Sequence, residues 1–223
     1  MSALIWQYTE MLRLTDNLDS ISEQIRQSFS AKDAAREKAL PLCREVIRHC
    51  SNAIRAVHRQ EFHQSEELLQ SAHDLLYQTR QAVAAHSELG NTGFMRDAQK
   101  EFAEGSITLA LVRRKRLPEP DELGIDAAAY LNGLGEAVGE LRRYLLDSMR
   151  RGDLSQGEEI LSAMDDIYST LVTMDFPDAI TSGLRRTTDM VRGVLEKTRS
   201  DLTLVMQQKD LENRLSKFDR ETG

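Results

Sequence analysis

Two pairs of glutamates have the residue type and spacing best suited to chemistry in this sequence. Glu101 and Glu104 are three residues apart in "EFAEG", and Glu136 and Glu140 are four apart in "GEAVGE". Residues three or four apart share one face of a helix, so each pair presents its carboxylates on one side. Four carboxylates brought together would repel one another, and a divalent cation would remove that penalty. Oxygen ligands of this kind suit Mg²⁺ or Mn²⁺, so we interpret the four glutamates as candidate metal ligands.

Small residues beside both pairs indicate how the carboxylates could come together. Gly133, Gly135 and Gly139 share a predicted helix with Glu136. Each glycine inside a helix costs about 1 kcal/mol relative to alanine, which indicates that another backbone or a ligand comes close on that side. Gly105 adjoins the other pair. The two helices could therefore approach closely enough to unite the four carboxylates.

Two other interpretations of the glutamates remain open from spacing alone. Each pair could belong to a solvated helix face, although such a face has no use for the glycines. A ferritin-like di-iron site would require Glu-x-x-His pairs, and the sequence has none. No two histidines are three or four residues apart, so we interpret all five as ordinary core or surface residues: His49, His58, His63, His73 and His86.

Basic residues are clustered in a chain whose net charge is -7. A local positive surface could hold phosphates, whereas isolated doublets more often lie on solvated helix faces. Acids that bind metal beside such a surface favour a metal-dependent hydrolase acting on phosphodiesters. The densest cluster is "RRKR" (Arg113, Arg114, Lys115 and Arg116), and doublets occur at Arg142 with Arg143, Arg150 with Arg151 and Arg185 with Arg186.

Composition predicts a soluble cytoplasmic protein with a single domain spanning residues 1–223. A chain of this length can bury a substantial core without disulfides. The two cysteines, Cys43 and Cys50, are seven residues apart in a helical stretch, so we expect reduced core residues. There is no secretory-type apolar segment at the start and no run of about 18 apolar residues, so we expect no membrane insertion.

The elements that would position these residues are all helices, because prolines are few and no segment alternates as a strand does. "LPEPDELGID" is interpreted as a loop, Thr92 as an N-cap and Gly90 as a C-cap. Asp126 is predicted to begin the glycine-bearing helix and Gly152 to stop it. Pro41 either kinks the second helix or marks its start. The predicted helices span about 3–28, 32–59, 64–89, 92–116, 126–151, a segment ending near 174, and 178–220.

Helices as long as the last one usually serve oligomers, so its apolar stripe is a candidate subunit contact. The first predicted helix offers a second candidate contact through Leu4, Ile5, Trp6 and Tyr8.

Four motifs, in order between about Leu42 and Leu215, resemble the translin family and specifically its catalytic branch, translin-associated factor X (Trax). "QKEFAEG" is similar to a Gln-Glu-aromatic-x-Glu motif of that branch. "YLNGLGEAVGELRR" resembles its Tyr-Leu-x-Gly motif followed by an acidic residue and Gly-Glu-Leu-x-Arg. "LCREVIRHCSNAIRAVHR" resembles its long basic helix, and "RRGD" its Gly-Asp turn.

The resemblance implies an all-α bundle of about six to seven long helices that assembles into a hollow octameric barrel. The barrel would be a homo-octamer or a mixed oligomer with a related subunit. It also implies Mg²⁺- or Mn²⁺-dependent endoribonuclease cleavage of single-stranded RNA inside that barrel. Glu101, Glu104 and Glu136 fall on the catalytic carboxylates, with Glu140 as the neighbouring acid.

One residue departs from the branch, because the position of Glu136 is aspartate there. Arg113, Lys115 and Arg143 would position the RNA backbone, with Arg114 and Arg116 as further candidates. The alternative is a non-catalytic, translin-like scaffold that binds RNA or DNA without cutting it.

Overall fold

The computed structural model describes residues 14–222, and no strand occurs within that range. The all-α prediction is confirmed. Six helices have 16 residues or more, in agreement with the lower number expected, and two have four residues. The helices are α1 (Leu18–His58), α2 (Phe62–Val83), α3 (Gly93–Val112), α4 (Pro120–Leu123), α5 (Ala127–Arg150), α6 (Gly157–Val172), α7 (Asp178–Thr181) and α8 (Leu184–Thr222). The predicted contacts at Leu4, Ile5, Trp6 and Tyr8 lie outside the described residues.

The first long helix corrects the prediction of two helices at 3–28 and 32–59, because α1 is continuous over 41 residues. Pro41 lies inside it on the exposed side. An interior proline removes one backbone hydrogen bond and its ring crowds the preceding turn, which commonly kinks or breaks a helix. The opposite face buries Ala39, Cys43 and Val46 completely or nearly so, and this packing keeps the helix intact across the proline.

Several predicted boundaries shift because short turns replace helix ends. α2 ends at Val83, and a 3₁₀ turn (Ser87–Asn91) contains the glycine predicted as a C-cap. Thr92 occupies the N-cap position of α3, but its hydroxyl donates back to the carbonyl of Leu89 at 2.6 Å instead of capping. The predicted loop contains α4, which a capping box of Glu119 and Glu122 stabilises.

The end of α3 and the start of α8 also differ from prediction. α3 ends at Val112, so the "RRKR" cluster follows the helix instead of forming its last turn. The segment from Asp178 is divided into α7 and α8. Ser182 and Gly183 separate these helices with φ values of 54° and 88°, a backbone conformation that favours glycine at the second position.

Packing places α3 at the centre, between α1 and α5, while α5 also packs against α6 and α8. Among the described residues, the buried apolar side chains form one contiguous core that includes Val46, Leu76, Leu141 and Met164. Cys43 and Cys50 are free and buried in it, as predicted. Burial raises the pKa of the Cys43 thiol to about 11. No helix within 14–222 is long and apolar enough to cross a membrane.

Gly133 brings α5 against α3. A Cβ atom added there would lie 2.6 Å from Cβ of Ala103 and 2.7 Å from the carbonyl oxygen of Lys100. Gly135 faces the other way, against Thr187 of α8. At Gly139 the described chain supplies no close neighbour, since an added Cβ would meet nothing within 4 Å.

Candidate metal centre

Two helices supply the three carboxylates that converge. α3 carries Glu101 and Glu104, and α5 carries Glu136. α5 begins as predicted, because the Asp126 carboxylate accepts hydrogen bonds from the backbone N–H groups of Ala128 and Ala129. This cap fixes the register of α5, and the close approach at Gly133 then sets Glu136 opposite the face of α3 that bears the other acids.

The converging residues are Glu101, Glu104 and Glu136. Each offers one carboxylate oxygen, and the three oxygens all lie within 4.8 Å of one another. Glu104 is buried, with 9 % of its surface exposed, and the other two are half-buried. This donor set of three carboxylates fits a hard divalent cation such as Mg²⁺ or Mn²⁺. We name these three residues the carboxylate cluster.

Burial and mutual repulsion make the carboxylate cluster retain protons. Burial, with the charges of Glu101 and Glu136, raises the pKa of Glu104 to about 8. Burial also raises the pKa of Glu101, against the opposing effect of Lys100. A metal ion that binds carboxylates displaces protons from them. A divalent cation at this cluster would therefore have to displace the proton of Glu104.

Lys100 lies at the edge of the cluster and was not identified from the sequence. Its ammonium donates to Oε1 of Glu136 at 2.7 Å. Burial by itself lowers the pKa of Lys100, but the hydrogen bond and charge of Glu136, with the charge of Glu101, outweigh it and raise the pKa. Its position directly before Glu101 in the sequence was the local signal that could have identified it.

Glu140, predicted as a fourth ligand, is not brought into the carboxylate cluster. Its Oε2 instead lies 2.5 Å from Nε2 of His58 and 3.7 Å from a guanidinium nitrogen of Arg143. The hydrogen bond from His58 lowers the pKa of Glu140 in spite of partial burial. His58 was interpreted as an ordinary residue, but it is a buried partner of this acid. Its distance in sequence from Glu140 left no spacing signal.

The predicted RNA-binding cluster "RRKR" is paired with acids and lies beyond the end of α3. At a rise of 1.5 Å per residue, Arg113 lies about 13 Å from Glu104 along the axis of α3. The expected adjacency to the carboxylates is therefore not observed in the single chain. Arg113 and Lys115 pair with Glu66 at 3.2 and 3.0 Å, Arg114 pairs with Glu159 at 2.7 Å, and Arg116 pairs with Glu122.

Comparison with known proteins places the chain among relatives that share this architecture. A family model described as the translin family matches residues 6–199. The chain belongs to the translin family. It is 29 % identical over 187 residues to an uncharacterized protein of Methanocaldococcus jannaschii, MJ0175, covering 83 % of each chain.

Solved structures extend this comparison of the translin-family fold. The structure of an AfC3PO–duplex RNA complex matches with a TM-score of 0.75 and 33 % identity over 83 % of this chain and 96 % of that chain. The crystal structure of AfC3PO matches with a TM-score of 0.74 and 32 % identity, over 83 % and 97 %. Apo-NeC3PO shares the fold at 16 % identity, with a TM-score of 0.71 over 86 % and 99 %.

Proposed function

We propose that this translin-family protein is a metal-dependent endoribonuclease of the Trax-like type. The observation that supports the proposal is the convergence of Glu101, Glu104 and Glu136 from two helices onto one point. A solvated helix face would not bury Glu104 or hold its proton near neutral pH. A bound cation would offset the repulsion among these three carboxylates.

The carboxylate cluster would hold Mg²⁺ or Mn²⁺, with Glu140 outside the ligand set. When bound, the ion supplies charge neutralisation and activation of water for phosphodiester hydrolysis. Glu104 would have to lose its proton in order to hold the ion. In the protein without metal, Lys100 donates to Oε1 of Glu136, so a bound ion would compete with this ammonium for the carboxylate.

RNA as the substrate is supported by a relative. AfC3PO, at 33 % identity, has been solved as a complex with duplex RNA. We extend RNA binding to this chain on that similarity. The resemblance to the Trax branch implies a single-stranded substrate, so both a single strand and a duplex belong in the assay.

Assembly into a hollow oligomeric barrel is part of the same proposal. Apolar side chains on the outer face of α1 are 41 to 65 % exposed, namely Leu18, Ile21, Ile25 and Phe29. α8 exposes Leu204, Leu211 and Leu215 at 56 to 62 %. A second copy of the chain would cover such stripes. Light scattering should give a mass several times 25.3 kDa. A monomeric mass would contradict the barrel.

The test of the enzymatic proposal is cleavage of labelled RNA. Wild-type protein should cleave with Mg²⁺ or Mn²⁺ and stop in EDTA, and Glu104→Gln and Glu136→Gln should abolish cleavage. Glutamine resembles the protonated Glu104 in shape and charge, so folding and RNA affinity should persist. Glu159→Gln, on α6, is the control and should cleave normally. RNA binding without cleavage by wild-type protein would instead support the scaffold alternative.

A further inference from the structure

A groove of about 720 Å³ lies beside the carboxylate cluster and has no assigned role. Its walls come from α3, α5 and the start of α8, and Glu136 belongs both to the groove and to the cluster. The groove therefore ends at the candidate metal centre. Its volume lies within the range of small-ligand sites and can admit a nucleotide unit.

Two arginines that line the groove, one on α3 and one on α8, have no carboxylate partner in the described chain. The side chain of Arg96 on α3 donates to the hydroxyl of Ser182, at 2.8 Å. The guanidinium of Arg186 on α8 makes no hydrogen bond or ion pair with other described residues, although its backbone N–H donates to the carbonyl of Gly183. Arg96 also lies one helical turn before Lys100, so both cations line the same wall. The "RRKR" cluster differs, because each of its cations is held by an acid.

Hydrogen bonds of the buried Asn132, which lines the groove, connect three of the helices around it. Asn132 donates to the carbonyl groups of Ala128 and Thr181, both at 2.8 Å, and accepts from the hydroxyl of Thr187 at 2.8 Å. These bonds connect α5 to α7 and α8. Gly183 leaves the opposite wall open, because an added Cβ would meet nothing within 4 Å.

We propose that this groove binds the nucleotide next to the scissile phosphodiester, with its phosphate held between Arg96 and Arg186. The proposal rests on the proposed ribonuclease function and names the residues that position its substrate. Guanidinium groups bind phosphate oxygens through charge-assisted hydrogen bonds. Asp97 and Asp178 also line the groove, so it accommodates one phosphate and not an extended polyanion. Their carboxylates accept from the hydroxyl or amino groups of the nucleoside.

Fluorescence anisotropy with a labelled RNA oligonucleotide in EDTA tests the groove without cleavage. Arg96→Gln and Arg186→Gln should each weaken binding and reduce the slope of log K against log salt by about one. Arg116→Gln should have a smaller effect because that guanidinium is already paired with Glu122. Arg214→Gln, at an exposed pair on the distal part of α8, is the control. Circular dichroism melts should show all variants folded.

The outcomes separate this proposal from the enzymatic one. If either groove variant binds RNA with the affinity and salt slope of Arg214→Gln, the groove proposal is overturned. If wild-type protein binds RNA but does not cleave it with Mg²⁺ or Mn²⁺, the ribonuclease function fails while losses in both groove variants still support the groove. If wild-type protein does not bind RNA, both proposals fail.

Discussion

The ammonium of Lys100 lies 2.7 Å from Oε1 of Glu136, at the edge of a site where three carboxylates converge. The lysine is the nearest protein cation to an acid that the proposed metal would also need. Without metal, Lys100 and the proton on Glu104 together offset the repulsion within the cluster. A bound divalent cation competes with both.

Removing the lysine should strengthen metal binding. Lys100→Met should tighten Mn²⁺ binding by about tenfold or more, because unit charges 4 Å apart interact by about 4 kcal/mol at an effective dielectric constant of about 20. Titration calorimetry at about pH 8 in anaerobic buffer limits proton competition at Glu104 and keeps the Mn²⁺ soluble and reduced. Lys115→Met, beside Glu66, is the matched control and should bind Mn²⁺ as wild type does. Unchanged or weaker binding by Lys100→Met would show that the lysine does not compete with the ion.

The raised pKa of Glu104 predicts a pH dependence of stability in EDTA. The folded state keeps this proton up to a pKa of about 8, whereas the unfolded carboxyl loses it near 4.5. The folded state thus binds more protons between these values, and its free energy of unfolding falls as pH rises, by at most about 1.4 kcal/mol per pH unit. The contribution is complete below the unfolded pKa and is lost above the folded one.

Urea unfolding at about pH 5.5 and about pH 7.5 measures this contribution. Glu104→Gln should be less sensitive to pH than wild type across that interval. In the presence of Mn²⁺, the stabilisation of wild type should instead grow with pH as the proton is displaced. Equal pH dependence in wild type and Glu104→Gln would mean that Glu104 does not hold the proton.

The contact between α3 and α5 predicts opposite effects for two glycine substitutions. Gly133→Ala should lower the free energy of unfolding by about 1–3 kcal/mol, because the new methyl group would press on Ala103 and the backbone of Lys100. Gly139→Ala meets open space and should stabilise α5 by up to about 1 kcal/mol. Thermal unfolding of both proteins in EDTA gives the comparison. Similar stabilities would argue against the close helix contact.

The buried pair of His58 and Glu140 predicts a measurable coupling. Replacing His58 with phenylalanine leaves the Glu140 carboxylate without its hydrogen bond, which should cost about 1–3 kcal/mol of unfolding free energy. A double-mutant cycle with Glu140→Ala, which removes the acceptor, isolates the pair, and urea unfolding at neutral pH should give a coupling of about 1 kcal/mol or more. Additive effects would show that the two side chains do not stabilise one another.

The local features of this architecture could be predicted from the sequence. The N-cap at Asp126 and the close contact at Gly133 follow from rules that depend on a few neighbouring residues. The convergence of Glu101, Glu104 and Glu136 followed from helical spacing together with the glycine. Each inference used the period of a helix or the absence of a Cβ, and the glycine supplied the local sign that the two helices approach closely.

The remaining features depend on contacts between distant segments. His58 meets Glu140 across 82 positions, and Glu66 meets Lys115 across 49. The first pair forms only when α1 has packed near α5, and the second only when α2 has packed near α3, so spacing could not predict that Glu140 would pair with His58 or that "RRKR" would pair with acids. The continuity of α1 through Pro41 likewise depends on tertiary packing against its buried face.

Crystals soaked in Mn²⁺ and measured for anomalous scattering test the central claim most directly. We expect one anomalous peak at coordination distance from carboxylate oxygens of Glu101, Glu104 and Glu136. The same experiment on Glu104→Gln should show a weaker peak or none. A wild-type protein that cleaves RNA with Mn²⁺ but shows no peak between these three side chains would contradict the account.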